Sequence, residues 1–179
     1  VLKARLRGGI LNKVRRGEYR CVLPTGLVYD EADNVVLDPD AQIRETISYF
    51  FETFSRVGSA CQTVKVFRNE GIRFPSRLRN RDATIFRPLT ASTAIRTLSN
   101  PRYAGTYAYG RRRYRRAADG KKKIQRQHEC SDWLACIPNA HPGYITWELF
   151  QENLKILEAN GRGYEAARAS PPRAGAALL

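Results

Sequence analysis

Between Asp38 and Gly58 the apolar residues Ile43, Ile47, Phe50, Phe51 and Phe54 fall three or four positions apart, the spacing that lines one face of an α-helix. Asp38 is placed to cap it with a carboxylate, and Pro39 suits its first position, where a missing N–H costs nothing. Gly58 ends it. A second helix opens at Ser59, with Gln62 completing a capping box, keeps Ala60, Val64 and Phe67 on its inner stripe and closes at Gly71. Two helices joined by so short a turn read equally as a helix-turn-helix corner and as a plain helical hairpin. Thr90 caps a third helix, "ASTAIRTLS", stopped by Asn100 and Pro101. Its pattern predicts Ile95 and Leu98 inside, with Ser92, Thr93, Arg96 and Thr97 outside.

Around these helices the pattern changes. Residues 17–40 split short apolar stretches with Pro24, Gly26 and "DEADN", which predicts a small hairpin or paired turns. "FPSRLRNRDATIFRP" (74–88) has no period and reads as a basic loop. Tyr103, Thr106, Tyr107, Ala108 and Tyr109 read as a strand paired with "DWLACIP" (132–138) across an arginine-rich loop. A last helix runs from the cap Thr146 through Trp147, Phe150, Leu154 and Leu157 to Gly161. The expected fold is therefore α+β: a small helical part over 38–100, helix-turn-helix-like, then a strand hairpin and a closing helix over 101–160. A basic arm over 1–20 precedes the 21–160 domain, and a linker over 161–179, rich in Ala, Arg, Gly and Pro, follows it.

Charge then narrows the partners. The chain has 179 residues and carries 31 Lys and Arg against 17 Asp and Glu, a net charge of +14. Such an excess points to a polyanion, because each phosphate neutralised releases condensed counterions. No apolar run approaches the roughly 20 residues that span a bilayer, and no signal peptide opens the chain. The sequence begins at Val1 and contains no methionine, so a piece of a longer protein is expected. Its four cysteines are too few for a disulfide scaffold, which suits the cytosol.

The candidate chemistry is mostly basic. "HECSDWLACIPNAH" places His128, Cys130, Cys136 and His141 close together, all zinc-ligand types. Zinc sites favour two tight pairs, whereas these cysteines are widely spaced and Cys136 lies in a strand-like run. Free core cysteines, and a turn-organising His141, are the expectation. No catalytic constellation or Gly-rich phosphate loop is present, and no cofactor is expected. "RRRYRRAADGKKKIQR" (111–126) hangs from a strand pair right after the third helix and favours phosphate contact, through arginine forks and lysine point charges, over a merely solvated loop. The small hydroxyls and arginine of the third helix suit a DNA major groove, and equally any water-facing helix.

"GEYRCVLPTGLVYDEADNVVLDPD", "GSACQTVKVFRNEGIRFPSR", "LSNPRYAGTYAYGR" and "IPNAHPGYITWELFQENL" follow one another in an order that resembles the recombinase domain of the large serine recombinases, over roughly residues 5 to 160. "NPRYAG" (100–105) and "NAHPGYIT" (139–146) are its most specific parts. The resemblance implies a modular enzyme whose nucleophilic serine lies in a separate N-terminal domain, and whose zinc ribbon follows this segment. Nothing here resembles the catalytic domain, so no catalytic residue is assigned and this chain is not expected to cut DNA alone.

What the resemblance implies is a grip on one half of an attachment site in double-stranded DNA. The parent acts as an oligomer on DNA in a bacterial cytoplasm, at the nucleoid. Ser92, Thr93 and Arg96 then read bases. Arg77, Arg79, Arg81, Arg87, Arg111, Arg112, Arg113, Arg115, Arg116, Lys121, Lys122 and Lys123 hold phosphates. Arg5, Arg7, Lys13, Arg15 and Arg16 form either a minor-groove arm or a loose tail. The rival reading is a non-enzymatic regulator, including an RNA-binding module that stacks bases on Tyr107, Tyr109 and Tyr114.

Overall fold

The structure, a computed structural model, describes residues 2–78, 83–116, 122–126 and 130–168. It opens not with a loose arm but with helix α1 (Leu2–Arg15). Gly8 and Gly9 each disfavour a helix by about 1 kcal/mol relative to alanine. The helix is held instead by docking: Val14 is fully buried against Tyr107 and Ala135. Strands β1 (Leu27–Tyr29) and β2 (Val35–Leu37) then form the expected hairpin, pairing Leu27 with Leu37. The Asp30 carboxylate shapes its turn by accepting from the backbone N–H groups of Ala32 and Asn34, at 2.9 and 2.8 Å.

Helix α2 (Ala41–Val57) buries Ile43, Ile47, Phe50, Phe51 and Phe54, as the spacing predicts. Its cap is Asp40 rather than Asp38, because Asp40 Oδ1 accepts from Gln42 N at 2.9 Å, while Asp38 Oδ1 accepts from Asp40 N at 3.1 Å. Gly58, at φ +63, lets its N–H return to Phe54 O at 2.8 Å and end the helix. Helix α3 (Ala60–Asn69) starts on Ser59 and buries Ala60, Thr63 and Phe67. Phe50 lies 5.3 Å from both the Phe51 and Phe74 rings and 6.1 Å from Phe67. It thereby joins α2, α3 and the next strand in one cluster.

The expected basic loop is instead a hairpin of β3 (Arg73–Arg77) and β4 (Thr84–Pro88), running antiparallel with Arg73 opposite Pro88 and Arg77 opposite Thr84. Its period was hidden because the consecutive residues Phe74 and Pro75 are both buried, so the alternation of a half-buried strand never develops. Helix α4 (Ala91–Leu98) starts on Thr90, whose hydroxyl accepts from Thr93 N at 3.3 Å. Its register also differs from expectation: Ala94, Thr97 and Leu98 are buried, while Ile95 is exposed.

A 3-10 turn over Pro101–Ala104 takes Tyr103 out of the expected strand. Strand β5 (Tyr107–Tyr109) does pair with β8 (Ala135–Ile137), setting Tyr107 opposite Ile137. Between them, the arginine-rich stretch is itself a hairpin of β6 (Arg112–Arg116) and β7 (Lys122–Arg126). Helix α5 (Trp147–Arg168) starts on Thr146, whose Oγ1 accepts from Leu149 N, and continues past the expected stop at Gly161 into the expected linker.

The two most specific sequence motifs turn out to be one lock. The N–H groups of Ala140 and His141 donate to Gly105 O at 2.8 and 3.3 Å, and those of Tyr144 and Ile145 donate to Tyr103 O at 2.7 and 3.1 Å. Gly105, at φ +67, takes the left-handed turn this needs. The lock reaches the N-terminal hairpin as well: Tyr103 donates its hydroxyl to Thr25 O at 2.9 Å, and Tyr144 to Gly26 O at 2.7 Å. Burial, reinforced by the nearby Asp38 carboxylate, pushes the Tyr144 phenol up to about 12, so it remains a donor at neutral pH.

Candidate nucleic-acid interface

Along the chain helix α4 stands between the two basic hairpins. Its cap, Thr90, lies two residues beyond the end of β4, and its far end is tied to the start of β6. There Arg111 Nη2 donates to Ser99 O at 2.5 Å, while the guanidinium sits over Trp133, 5.3 Å from the ring centroid. Between these anchors Ser92, Ile95 and Arg96 are exposed and Thr93 is half-buried. Ser92, Ile95, Arg96 and Ser99 recur at helical spacing and share one outer face. Thr93 Oγ1 accepts from Thr90 Oγ1 at 2.9 Å, which orients its own proton outward or to other acceptors.

The predicted phosphate ligands divide into distinct groups. Arg87 and Arg112 are exposed, as is Arg73, which opens β3, a strand that the sequence pattern does not show. Among the described residues, ion pairs engage Arg16 with Glu18, Arg20 with Asp33 and Arg162 with Glu158. Arg73, Arg87, Arg96 and Arg112 form none, so their positive field is uncompensated at close range.

Two of the proposed phosphate ligands have structural work instead. The Arg77 guanidinium donates to Leu27 O at 3.2 Å and Leu23 O at 3.5 Å, pinning β3 to the first hairpin. Arg111 is spent on Ser99 and Trp133, as described. Buried Arg102 plays a similar part, reaching Val22 O and Ala108 O. Arg113, Arg115, Arg116, Lys122 and Lys123 occupy the β6–β7 ladder, with Arg115 opposite Lys123 and Arg116 opposite Lys122. Arg79, Arg81 and Lys121 lie outside the described residues. Arg5, Arg7, Lys13 and Arg15 are exposed on α1, and Arg16 is exposed in the turn just after it. The first four stand on a helix and not on an extended arm, and Arg16 is paired with Glu18.

The cysteine and histidine group resolves differently from expectation. Cys130 and Cys136 are joined as a disulfide, with Cα atoms 5.8 Å apart, and are not free core thiols. Six positions apart, they flank a short turn that folds β8 back beside its own approach, a closeness invisible in a linear reading. His128 lies outside the described residues. His141 Nδ1 is placed to donate to Pro142 O at 2.8 Å, and burial lowers its pKa, so it organises the turn as a neutral ring. Among the described residues no cluster of His, Cys, Asp and Glu is arranged to hold a metal ion, and no helix is long and apolar enough to cross a membrane.

Of the three tyrosines of the rival reading, Tyr114 stands on β6 with its side chain outside the described residues, and the other two are engaged within the fold. Tyr107 is buried and donates its hydroxyl to Tyr19 O at 3.1 Å, and Tyr109 packs edge-on against Tyr19 at 5.5 Å.

Comparison with known proteins agrees with this architecture. The family model described as Recombinase matches residues 43–160, and the chain belongs to that family. It is 45% identical over 184 residues to "Uncharacterized protein y4bA/y4pH" of Sinorhizobium fredii (strain NBRC 101917 / NGR234). That match takes in the whole of this chain but only 26% of the relative's length. Among solved structures, one described as "Crystal Structure of a LSR-DNA Complex" shares the fold, with a TM-score of 0.53 at 14% identity. The similarity covers 88% of this chain and 40% of that one.

Proposed function

We propose that this chain is the DNA-gripping segment of a site-specific serine recombinase, recognising one half of an attachment site when a mobile element integrates, excises or transposes. The observation that carries the reading is the placement of α4: a polar outer face on a helix that the chain sets between two hairpins, whose exposed Arg73, Arg87 and Arg112 have no acidic partner among the described residues. Membership of the Recombinase family, and a fold shared with a protein captured on DNA, support it. The serine chemistry and the subunit contacts then belong to other parts of a longer parent, acting in the bacterial cytoplasm on the nucleoid. Within residues 21–160, α4 reads bases through Ser92, Thr93 and Arg96. Arg73, Arg87, Arg112 and the ladder of β6 and β7 hold phosphates, and α1 presents Arg5, Arg7, Lys13 and Arg15 to the same polyanion. Arg77 and Arg111 support the scaffold.

This division of labour has separable signatures. Removing both Arg112 and Arg113 as alanines is expected to weaken binding to every duplex alike. The slope of log K against log salt should fall by about 2, since each lost phosphate contact removes about 0.9. Arg96→Ala is expected to leave non-specific binding nearly unchanged while erasing about 1–3 kcal/mol of preference at one base pair. Fluorescence anisotropy titrations on specific and scrambled duplexes across a salt series measure both. Identical behaviour of the two variants would refute the assignment.

A further inference from the structure

The pattern along α4 predicts an inward isoleucine and an outward threonine, and the fold does the reverse. Thr97 is buried to 6% exposure, its hydroxyl beside the Tyr103 phenol, while Ile95 keeps 47% of its surface in solvent. A single exposed apolar side chain is ordinary on a protein surface. An exposed isoleucine two residues from a buried threonine on the same short helix is a local choice against packing, and such conflicts concentrate at functional positions. Its neighbours define what could cover it. Ser92 and Arg96 lie within one helical turn on the same face, and the hairpins that precede and follow the helix present Arg73, Arg87 and Arg112 without acidic partners among the described residues. A protein partner with an ordinary apolar patch does not match an isoleucine set beside Arg96 on a helix that two basic hairpins flank in the chain. The major groove of DNA does: it is walled by phosphates, and its one apolar feature is the C5 methyl group of thymine.

We propose that Ile95 is a specificity-determining residue that packs against a thymine methyl in the major groove while Arg96 and Ser92 engage the adjoining base edges. This rests on the reading of α4 as the helix that enters the groove. Covering the methyl takes apolar surface of both partners out of water, and the gain is confined to a thymine at one position.

The test uses the 179-residue chain and the duplex it enriches most strongly from a random pool. Each thymine of that duplex is replaced in turn by deoxyuridine, which removes only the methyl group and leaves pairing and every hydrogen-bonding edge intact. One replacement is expected to weaken binding by the chain about four-fold, the equivalent of one buried methyl-sized group. The same replacement should have no effect on the Ile95→Ala variant, and an intermediate effect on Ile95→Val. Because Ile95 is largely solvent-exposed, both variants should retain the circular dichroism and melting behaviour of the parent, which is checked first. Enrichment of a motif in which no deoxyuridine matters, or in which Ile95→Ala suffers the same loss as the parent, overturns the role of Ile95 while leaving recognition by the domain standing. Failure to enrich any motif overturns both.

Discussion

Gly143→Ala is expected to cost on the order of 4 kcal/mol of folding stability, although it adds a single methyl group to a half-open loop. A Cβ built on Gly143 would lie 2.6 Å from Gly105 N, 2.8 Å from Tyr103 O and 2.9 Å from the carbonyl carbon of Ala104. All three are backbone atoms, so no side chain can rotate away. The two loops would have to separate, and the four hydrogen bonds onto Gly105 O and Tyr103 O stretch together. Each is worth about 1 kcal/mol net, and more if a partner is left buried and unsatisfied. A domain of this size holds only about 5–15 kcal/mol in total. The melting temperature should therefore fall by about 10 °C, taking about 2–4 °C per kcal/mol for a chain of this length. Gly9→Ala is the control: nothing lies within 4 Å of that position on exposed α1, and alanine there should be neutral or stabilising by up to about 1 kcal/mol. Equal melting temperatures for Gly143→Ala and the parent would remove the lock.

Phe50→Ala should cost about 3–5 kcal/mol in denaturant unfolding. The ring is fully buried where α2, α3 and β3 meet, among Phe51, Phe67 and Phe74. Those elements close the core on which α4 rests through Ala94 and Leu98, so the void cannot fill without moving the platform beneath that helix. Phe50→Leu retains most of the volume and should lose roughly half as much or less, leaving the unfolding slope unchanged. A loss below about 1 kcal/mol for the alanine variant would mean that this aromatic cluster is not the centre of the core.

Helices α2 to α5 were legible in the sequence because each follows a capping residue and carries apolar residues at helical spacing, although the cap of α2 fell on Asp40 and α4 turned a different face inward. Ser59, Gly58 and Thr90 sit where the fold uses them, and all five apolar residues of α2 face inward. What escaped were features decided by contacts between distant segments. Val14 holds α1 helical through two glycines only because Tyr107 and Ala135 wait for it. Phe74 and Pro75 are buried side by side, so β3 shows no alternation. Tyr103, far from Thr97 in any helical projection, supplies the hydroxyl partner that lets a threonine go inside and an isoleucine stay out. The disulfide of Cys130 and Cys136 needed the turn before β8 to be known.

Of the candidate site, the basic character of 74–88 and 111–126 was plain from the sequence, and so was the polar face of α4. Which arginines are free was not. Arg77, Arg102 and Arg111 look no different along the chain from Arg73, Arg87 and Arg112, yet the first three are committed to carbonyl oxygens. Only packing separates a structural arginine from one that faces solvent. The family-specific motifs, by contrast, are explained by the fold without reference to DNA, since "NPRYAG" and "NAHPGYIT" are the two halves of a backbone lock.

The central claim is that this surface recognises a particular duplex sequence and is more than a basic patch. The most direct measurement is a selection of bound duplexes from a random DNA pool by the 179-residue chain, carried out in parallel at low and near-physiological salt. One extended motif should be enriched and should survive the higher salt, because base contacts persist where counterion release no longer favours binding to any phosphate backbone. Binding that disappears at the higher salt and enriches nothing at either would contradict sequence recognition by this chain.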